Sequence, residues 1–176
     1  MPMLRRVVLG SLVAVLLIGC GQTDAPAPTP QQPLATTDTV SLRGLLATDA
    51  RFSTLATALD SARLSSLLRA DTTLTVFAPT NAAFEALPPG TLAALLAPAR
   101  RPRLRTLLRY HLAPGPYSPQ ALRSRDSLAT LDSLHVPLRT AGDTLQVGAA
   151  RVLGPPVSAR NGTVYVIDRV LAPPAP

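Results

Sequence analysis

Leu74-Thr75-Val76-Phe77-Ala78-Pro79-Thr80-Asn81-Ala82-Ala83-Phe84 contains the change of period on which the fold turns. Its opening residues alternate. Leu74 and Val76 project to one side of an extended chain, Thr75 and Phe77 to the other, the two-residue period of a strand. Ala78-Pro79 ends that strand, because proline has no N–H to offer a ladder. Asn81 then suits the cap of a short helix through Phe84 and Leu87, its side-chain oxygen taking an otherwise orphaned N–H. Pro88-Pro89-Gly90 breaks that helix.

Working outward toward the N-terminus, the pattern is helical. Asp49 suits an N-cap, after which Phe52, Leu55, Ala56 and Leu59 recur at i, i+3, i+4 and i+7. Leu42, Leu45 and Leu46 fit an earlier helical face, and Leu64, Leu67 and Leu68 a later short helix. Toward the C-terminus, Thr91 caps a helix with Leu92, Leu95 and Leu96 inward. Pro102 suits the first turn of another, with Leu104, Leu107 and Leu108 on one side and Arg105 and Arg109 on its flank. The last third reads as short strands at 127–131, 134–139, 144–147, 149–153 and 163–171, and Asn161-Gly162 is a turn signal before the last of them. There Val164 and Val166 face one way, Tyr165 and Ile167 the other. Apolar residues on both faces mark a central strand covered on both sides. Helices first and strands after imply an α+β domain.

The composition is aliphatic: 47% hydrophobic, 3% aromatic and no Trp. Nineteen prolines cluster at the ends and in short loops, so they act as linkers and turn markers. The formal net charge is +7, and every basic residue is Arg. No aromatic residues interleave with the arginines to stack bases, which argues against nucleic acid as a partner. Arg100, Arg101, Arg103, Arg105 and Arg109 form the most distinctive surface feature. They are either a solvated helix face or a grip on acidic polysaccharide or on phosphate headgroups, which guanidinium binds bidentately.

Residues 1–19 read as a lipoprotein signal peptide. Arg5 and Arg6 supply the positive start, and Val7 to Ile18 is an apolar run broken only by Gly10 and Ser11. That run is shorter than the roughly 20 residues a membrane-spanning helix needs. Leu17-Ile18-Gly19-Cys20 resembles the bacterial lipobox, which implies that Cys20, the only cysteine, becomes an acylated N-terminus. Cys20 and the Pro-rich tether occupy residues 20–38. A polyproline tether could hold the domain up to roughly 50 Å from the bilayer, at about 3.1 Å per residue. The expected partner of Cys20 is the membrane, the expected place the cell envelope, periplasmic or surface-exposed. Gly21 after the cysteine favours the outer membrane in a two-membrane bacterium. The globular domain is 39–172, and 173–176 is a Pro-rich tail.

Little points to catalysis or to a cofactor. His111 and His135 lie far apart with no acidic pair at ligand spacing, so no metal site is expected. Glu85 is the only glutamate, and there is no Gly-x-Ser-x-Gly turn, Gly-x-Gly-x-x-Gly or phosphate loop. Asp168, among apolar neighbours, reads as a hydrogen-bond acceptor.

Taken together, these stretches resemble the fasciclin domain family. Phe52-Ser53-Thr54-Leu55 and the segment from Leu74 to Phe84 resemble its first box. Leu92–Leu96 and Leu104–Leu108 resemble its leucine helices, and Tyr110-His111 followed by Pro114-Gly115 its Tyr-His segment. Asn161-Gly162-Thr163-Val164-Tyr165-Val166-Ile167-Asp168-Arg169-Val170-Leu171 resembles its second box, with Tyr165 where many members have His. The resemblance implies a small β-sandwich or wedge with helices packed against it. It also implies a non-enzymatic adhesion or interaction module for protein or acidic polysaccharide, the alternative being a periplasmic small-ligand or lipid carrier. Tyr110 and His111, which some animal relatives use for integrin contact, join Arg101, Arg105 and Arg109 as candidate interaction residues. His111 would also fall on the face of Leu104, Leu107 and Leu108 if that helix continued, as a core histidine.

Overall fold

In the computed structural model, which describes residues 40–69 and 73–174, Leu74–Pro79 is a strand buried at every position. It pairs in parallel with Gly162–Ile167, in a register running from Leu74 opposite Gly162 to Pro79 opposite Ile167. The two boxes read from the sequence are thus neighbours in one sheet. A parallel pair is stable only when both faces are covered, which is why both strands carry apolar residues on each face, with Thr75 and Thr163 the exceptions.

In chain order the elements are α1 (Leu42–Thr48), α2 (Ser53–Ser61), β1 (Leu74–Pro79), α3 (Asn81–Glu85), α4 (Thr91–Leu96), α5 (Arg101–Tyr110), β2 (Leu112–Pro114), α6 (Pro119–Arg123), β3 (Ser127–Ala129), β4 (His135–Ala141), β5 (Thr144–Val147), β6 (Ala150–Arg151), β7 (Val157–Ala159) and β8 (Gly162–Ile167). One sheet has the order β2-β1-β8-β7, the other β3-β4-β5-β6. A bridge between Val152 and Ile167, with Leu153 N–H donating to the Val166 carbonyl at 2.7 Å, links them. The architecture is the expected α+β wedge.

The β1–β8 ribbon divides the interior in two. On one face Val76, Val164 and Val166 pack with Leu46, Leu55, Leu104 and Leu108 from the helices. On the other, Phe77, Tyr165 and Ile167 pack with Leu122, Val136 and Val147. The Phe77 and Tyr165 rings lie 5.9 Å apart, a tilted pair at the centre of that second core. In β4 and β5 buried and exposed residues alternate, so the far face of that sheet meets solvent.

Several local expectations are corrected. Asn81 does not cap α3. The cap is Thr80, whose hydroxyl accepts from Ala83 N–H. Asn81 instead reaches back to α2, accepting from Thr54 N–H at 3.1 Å and donating to the Ala50 carbonyl at 2.9 Å. Thr91 is not a cap either: Gly90, left-handed at φ 80°, precedes α4. Leu67 and Leu68 lie in a single 3-10 turn, Leu67–Arg69. Two three-residue strands, β2 and β7, and the five-residue α6 are too short to show a period, so the sequence reading passed over them. The last strand stops at Ile167, short of 171, because the next groups bond elsewhere: Asp168 Oδ1 accepts from Arg151 N–H and Leu171 N–H donates to His111.

Asn161-Gly162 marks the right place for another reason. The hairpin turn is Arg160-Asn161, and Gly162 is already the first residue of β8, opposite Ala159 and Leu74. At φ 153° it lies against β1, where an added Cβ would come within 1.9 Å of the Leu74 carbonyl oxygen. The buried Asn161 accepts from Leu42 N–H and donates to the Leu68 carbonyl, both at 2.8 Å. It ties the first turn of α1 to the 3-10 turn beside it.

The signal peptide, Cys20 and the tether lie outside the described residues. Among those described, no helix is long and apolar enough to cross a membrane.

Candidate functional site

Helix α5 carries four of the five arginines singled out from the sequence, and Arg100 ends the 3-10 turn before it. Pro102 sits in its first turn, where a missing N–H costs nothing. Leu104 and Leu108 are buried and fix which face turns outward. Arg103, Arg105 and Arg109 are exposed. Arg101 is half-buried, and its Nε donates to the Ser61 carbonyl at 3.1 Å, so it braces α5 against the end of α2. Arg109 is held at one edge: its Nη2 donates to the Leu131 carbonyl at 2.7 Å, and its Nε stands 3.9 Å from Asp132. Arg105 makes no hydrogen bond or ion pair among the described residues.

Arg105 and Arg109 share a groove of about 270 Å³ with Arg63, Ser66, Leu67 and Leu131. Arg63 is a residue the sequence reading missed. It follows the last turn of α2 with φ 57°, one of two non-glycine residues with positive φ among those described. Leu64 N–H reaches the Leu59 carbonyl at 2.9 Å and Arg63 N–H the Asp60 carbonyl at 3.0 Å, a Schellman ending. Glycine is the usual occupant of that left-handed position. A side chain there costs about 1 kcal/mol. The absence of glycine where the Leu59 periodicity ends was the only sign available.

Tyr110 and His111 are not surface contacts, and the expectation that they meet a partner is corrected. Tyr110 is 3% exposed and His111 1%. The Tyr110 hydroxyl donates to the His135 carbonyl at 3.3 Å. Burial pushes its pKa up. The His111 ring is satisfied at both nitrogens. Its Nε2 accepts from Leu171 N–H at 2.9 Å, which places the proton on Nδ1, and Nδ1 then donates to the Leu107 carbonyl at 2.8 Å. Burial lowers its pKa to about 4, opposed by the bond to Leu107. The His111 carbonyl accepts from Phe77 N–H at 2.9 Å. One residue therefore joins α5, β1 and the C-terminal segment, and it occupies the core position that its helical spacing suggested.

Tyr165 follows the same logic. Its hydroxyl donates to the Tyr117 carbonyl at 2.7 Å, and burial pushes its pKa up to about 12. Its ring also lines a second recess, of about 380 Å³, with Pro119, Arg123, Asp143, Leu145 and Val152. Arg123 and Asp143 put charge into a space that a carrier of acyl chains would need apolar.

The division of labour is plain. Tyr110, Tyr165 and His111, which could do acid–base chemistry, are used as internal hydrogen-bond partners. The arginines of α5 and the α2 corner remain outside, on a backbone braced by Arg101 and Asn81.

Comparison with known proteins agrees with this picture. The family model for the fasciclin domain matches residues 50–173. Protein sll1483 of Synechocystis is 36% identical over 140 residues, covering 80% of this chain and 77% of that protein. The cell surface glycolipoprotein MPB83 of Mycobacterium bovis is 41% identical over 101 residues, covering 57% of this chain and 44% of that protein. Among solved structures, a FAS1 domain pair from the insect cell adhesion molecule fasciclin I superposes with a TM-score of 0.68 at 20% identity. It covers 76% of this chain and 51% of that one.

Proposed function

This chain belongs to the fasciclin family, whose domains serve cell adhesion and extracellular interaction, and from that premise we propose that it is a non-enzymatic binding module of a bacterial envelope, gripping an acidic polysaccharide or an acidic protein surface through the arginine face of α5. The observation that carries this reading is the exposed Arg105, with no hydrogen bond or ion pair among the described residues, on a helix whose other face is buried in the core. Guanidinium groups present planar forks that match anionic oxygens. Catalysis has no comparable support, since His111, Tyr110 and Tyr165 are each committed to a backbone partner.

In this reading the domain is membrane-anchored through acylated Cys20. The basic start, apolar run and Gly19-Cys20 support the anchor, as does likeness to a mycobacterial protein named a cell surface glycolipoprotein. Mass spectrometry of the mature N-terminus tests it: a diacylglyceryl mass on Cys20 is expected, and an intact, unmodified leader would end it.

For the binding reading, the protein is applied to an array of envelope polysaccharides and partner proteins. The triple variant Arg101→Gln, Arg105→Gln, Arg109→Gln is run beside it. Capture by acidic members, weakened by salt and at least tenfold weaker in the triple variant, is the expected result. Capture indifferent to both salt and the substitutions would overturn it.

A further inference from the structure

We propose that the groove between the Arg63 corner and α5 is a specific site for a phosphomonoester carried on a sugar. This deepens the binding-module reading and rests on it. Three arginines, Arg63, Arg105 and Arg109, are among the residues that line the groove. No carboxylate lines it, and Asp132 stands 3.9 Å from Arg109 at one edge. A carboxylate carries one charge and fills one guanidinium fork. A phosphomonoester carries close to two charges at neutral pH and offers three acceptor oxygens in a tetrahedral array. Three arginines around one groove match the second anion and exceed the first.

The remaining lining points to what bears the phosphate. Leu67 is 37% exposed, one of two large apolar side chains so exposed among the described residues. Together with half-buried Leu131 it offers an apolar wall suited to the C–H face of a sugar ring. Ser66 adds a hydroxyl beside it. A volume of about 270 Å³ lies near the lower bound of small-ligand clefts, about 300 Å³, enough for one phosphorylated sugar unit. Arg109 is already held by the Leu131 carbonyl, so it loses less freedom on binding than a free side chain.

Arg63 supplies an independent indication. It occupies the left-handed position of a Schellman ending, where glycine would sit without strain. Backbone strain of this kind collects where a side chain is needed for function. The same feature makes a clean test. Arg63→Gly removes the guanidinium while relieving the backbone, so loss of binding cannot be ascribed to loss of fold.

The experiment is an NMR titration of the full-length chain in a neutral detergent, following the arginine Nε–H resonances. The probes are glucose 6-phosphate, glucuronate and inorganic phosphate. Saturable shifts at Arg63, Arg105 and Arg109 are expected with glucose 6-phosphate, with glucuronate at least tenfold weaker and inorganic phosphate weaker than the sugar phosphate. Arg63→Gly should reduce affinity at least fivefold while the melting temperature holds or rises. Equal binding of glucuronate, shifts scattered over Arg100 and Arg103, or unchanged affinity in Arg63→Gly would overturn the site. Inorganic phosphate binding as tightly as glucose 6-phosphate would remove the sugar from it. If glucose 6-phosphate fails to bind while the α5 triple variant still loses polymer capture, this inference falls and the broader reading stands. If polymer capture fails as well, both fall.

Discussion

The two faces of the β1–β8 ribbon are packed by different means. On the helix side, aliphatic residues from α1, α2 and α5 meet Val76, Val164 and Val166, and that core is almost entirely Leu, Val and Ala. On the other side, Phe77, Tyr110 and Tyr165 lie beneath the second sheet, and the tyrosine hydroxyls need carbonyl partners from His135 and Tyr117. The first face is held by area removed from water. The second also depends on polar groups being met in the right place. The difference teaches where damage should be tolerated. Aliphatic packing loses stability in proportion to the volume removed, whereas a stranded polar group costs free energy out of proportion to its size.

The largest expected effect strikes the ribbon itself and so both faces at once. Gly162→Val would drive a side chain into the Leu74 carbonyl, 1.9 Å from where its Cβ must sit. A loss above about 4 kcal/mol is expected, in the range reserved for disrupted backbone. Soluble yield and urea midpoint check it; a variant of normal midpoint would mean that β1 and β8 are not paired as described.

Next comes the helix side alone. Leu108→Ala should cost about 2–5 kcal/mol through lost burial and a residual cavity. Equilibrium denaturation measures it, and a cost below about 1 kcal/mol would show that this core is loosely filled.

Third is the polar hinge between the faces, His111. The unfolded ring takes its proton near pH 6.5, the buried ring only near about 4, so between these values the unfolded chain binds more protons. Stability from the neutral ring is therefore fully present above about pH 6.5 and declines as pH falls toward 4, by up to roughly 3 kcal/mol. Denaturation midpoints compared across that window should drop in the parent and drop less in His111→Gln. Parallel profiles would remove His111 as the cause.

A smaller effect belongs to the sheet side. Tyr165→Phe keeps the ring against Phe77 but leaves the Tyr117 carbonyl without its donor, at a cost of about 1 kcal/mol. Smallest of all is Arg105→Gln, within about 0.5 kcal/mol of the parent in stability, because its side chain is exposed and unpaired. Its effect should show in anion binding alone.

Legibility followed the same division. The period of two at Leu74–Phe77 and the i, i+3, i+4 spacing along α2 and α5 located the helix-side core, because an aliphatic face repeats locally. The edges of the β1–β8 sheet were not read. The three-residue strands β2 and β7 have no period to show. The candidate site divided too. Arg105 and Arg109 stood out as a cluster on one helix, but Arg63 belongs to another element, and only folding brings it to them. Tyr110 and His111, marked as contacts by family likeness, turned out to be interior.

By itself the sequence determined the kind of domain: two strand-like boxes, the second apolar on both faces, leucine helices beside them, and an excess of arginine. The tertiary structure alone decided which partner each buried polar residue meets. The reason is distance along the chain. Periodicity is a property of neighbours a few residues apart, whereas Asn161 finds Leu42 across 119 residues and His111 finds Leu171 across 60. Partners so remote are chosen by how the elements pack, and no local pattern encodes them.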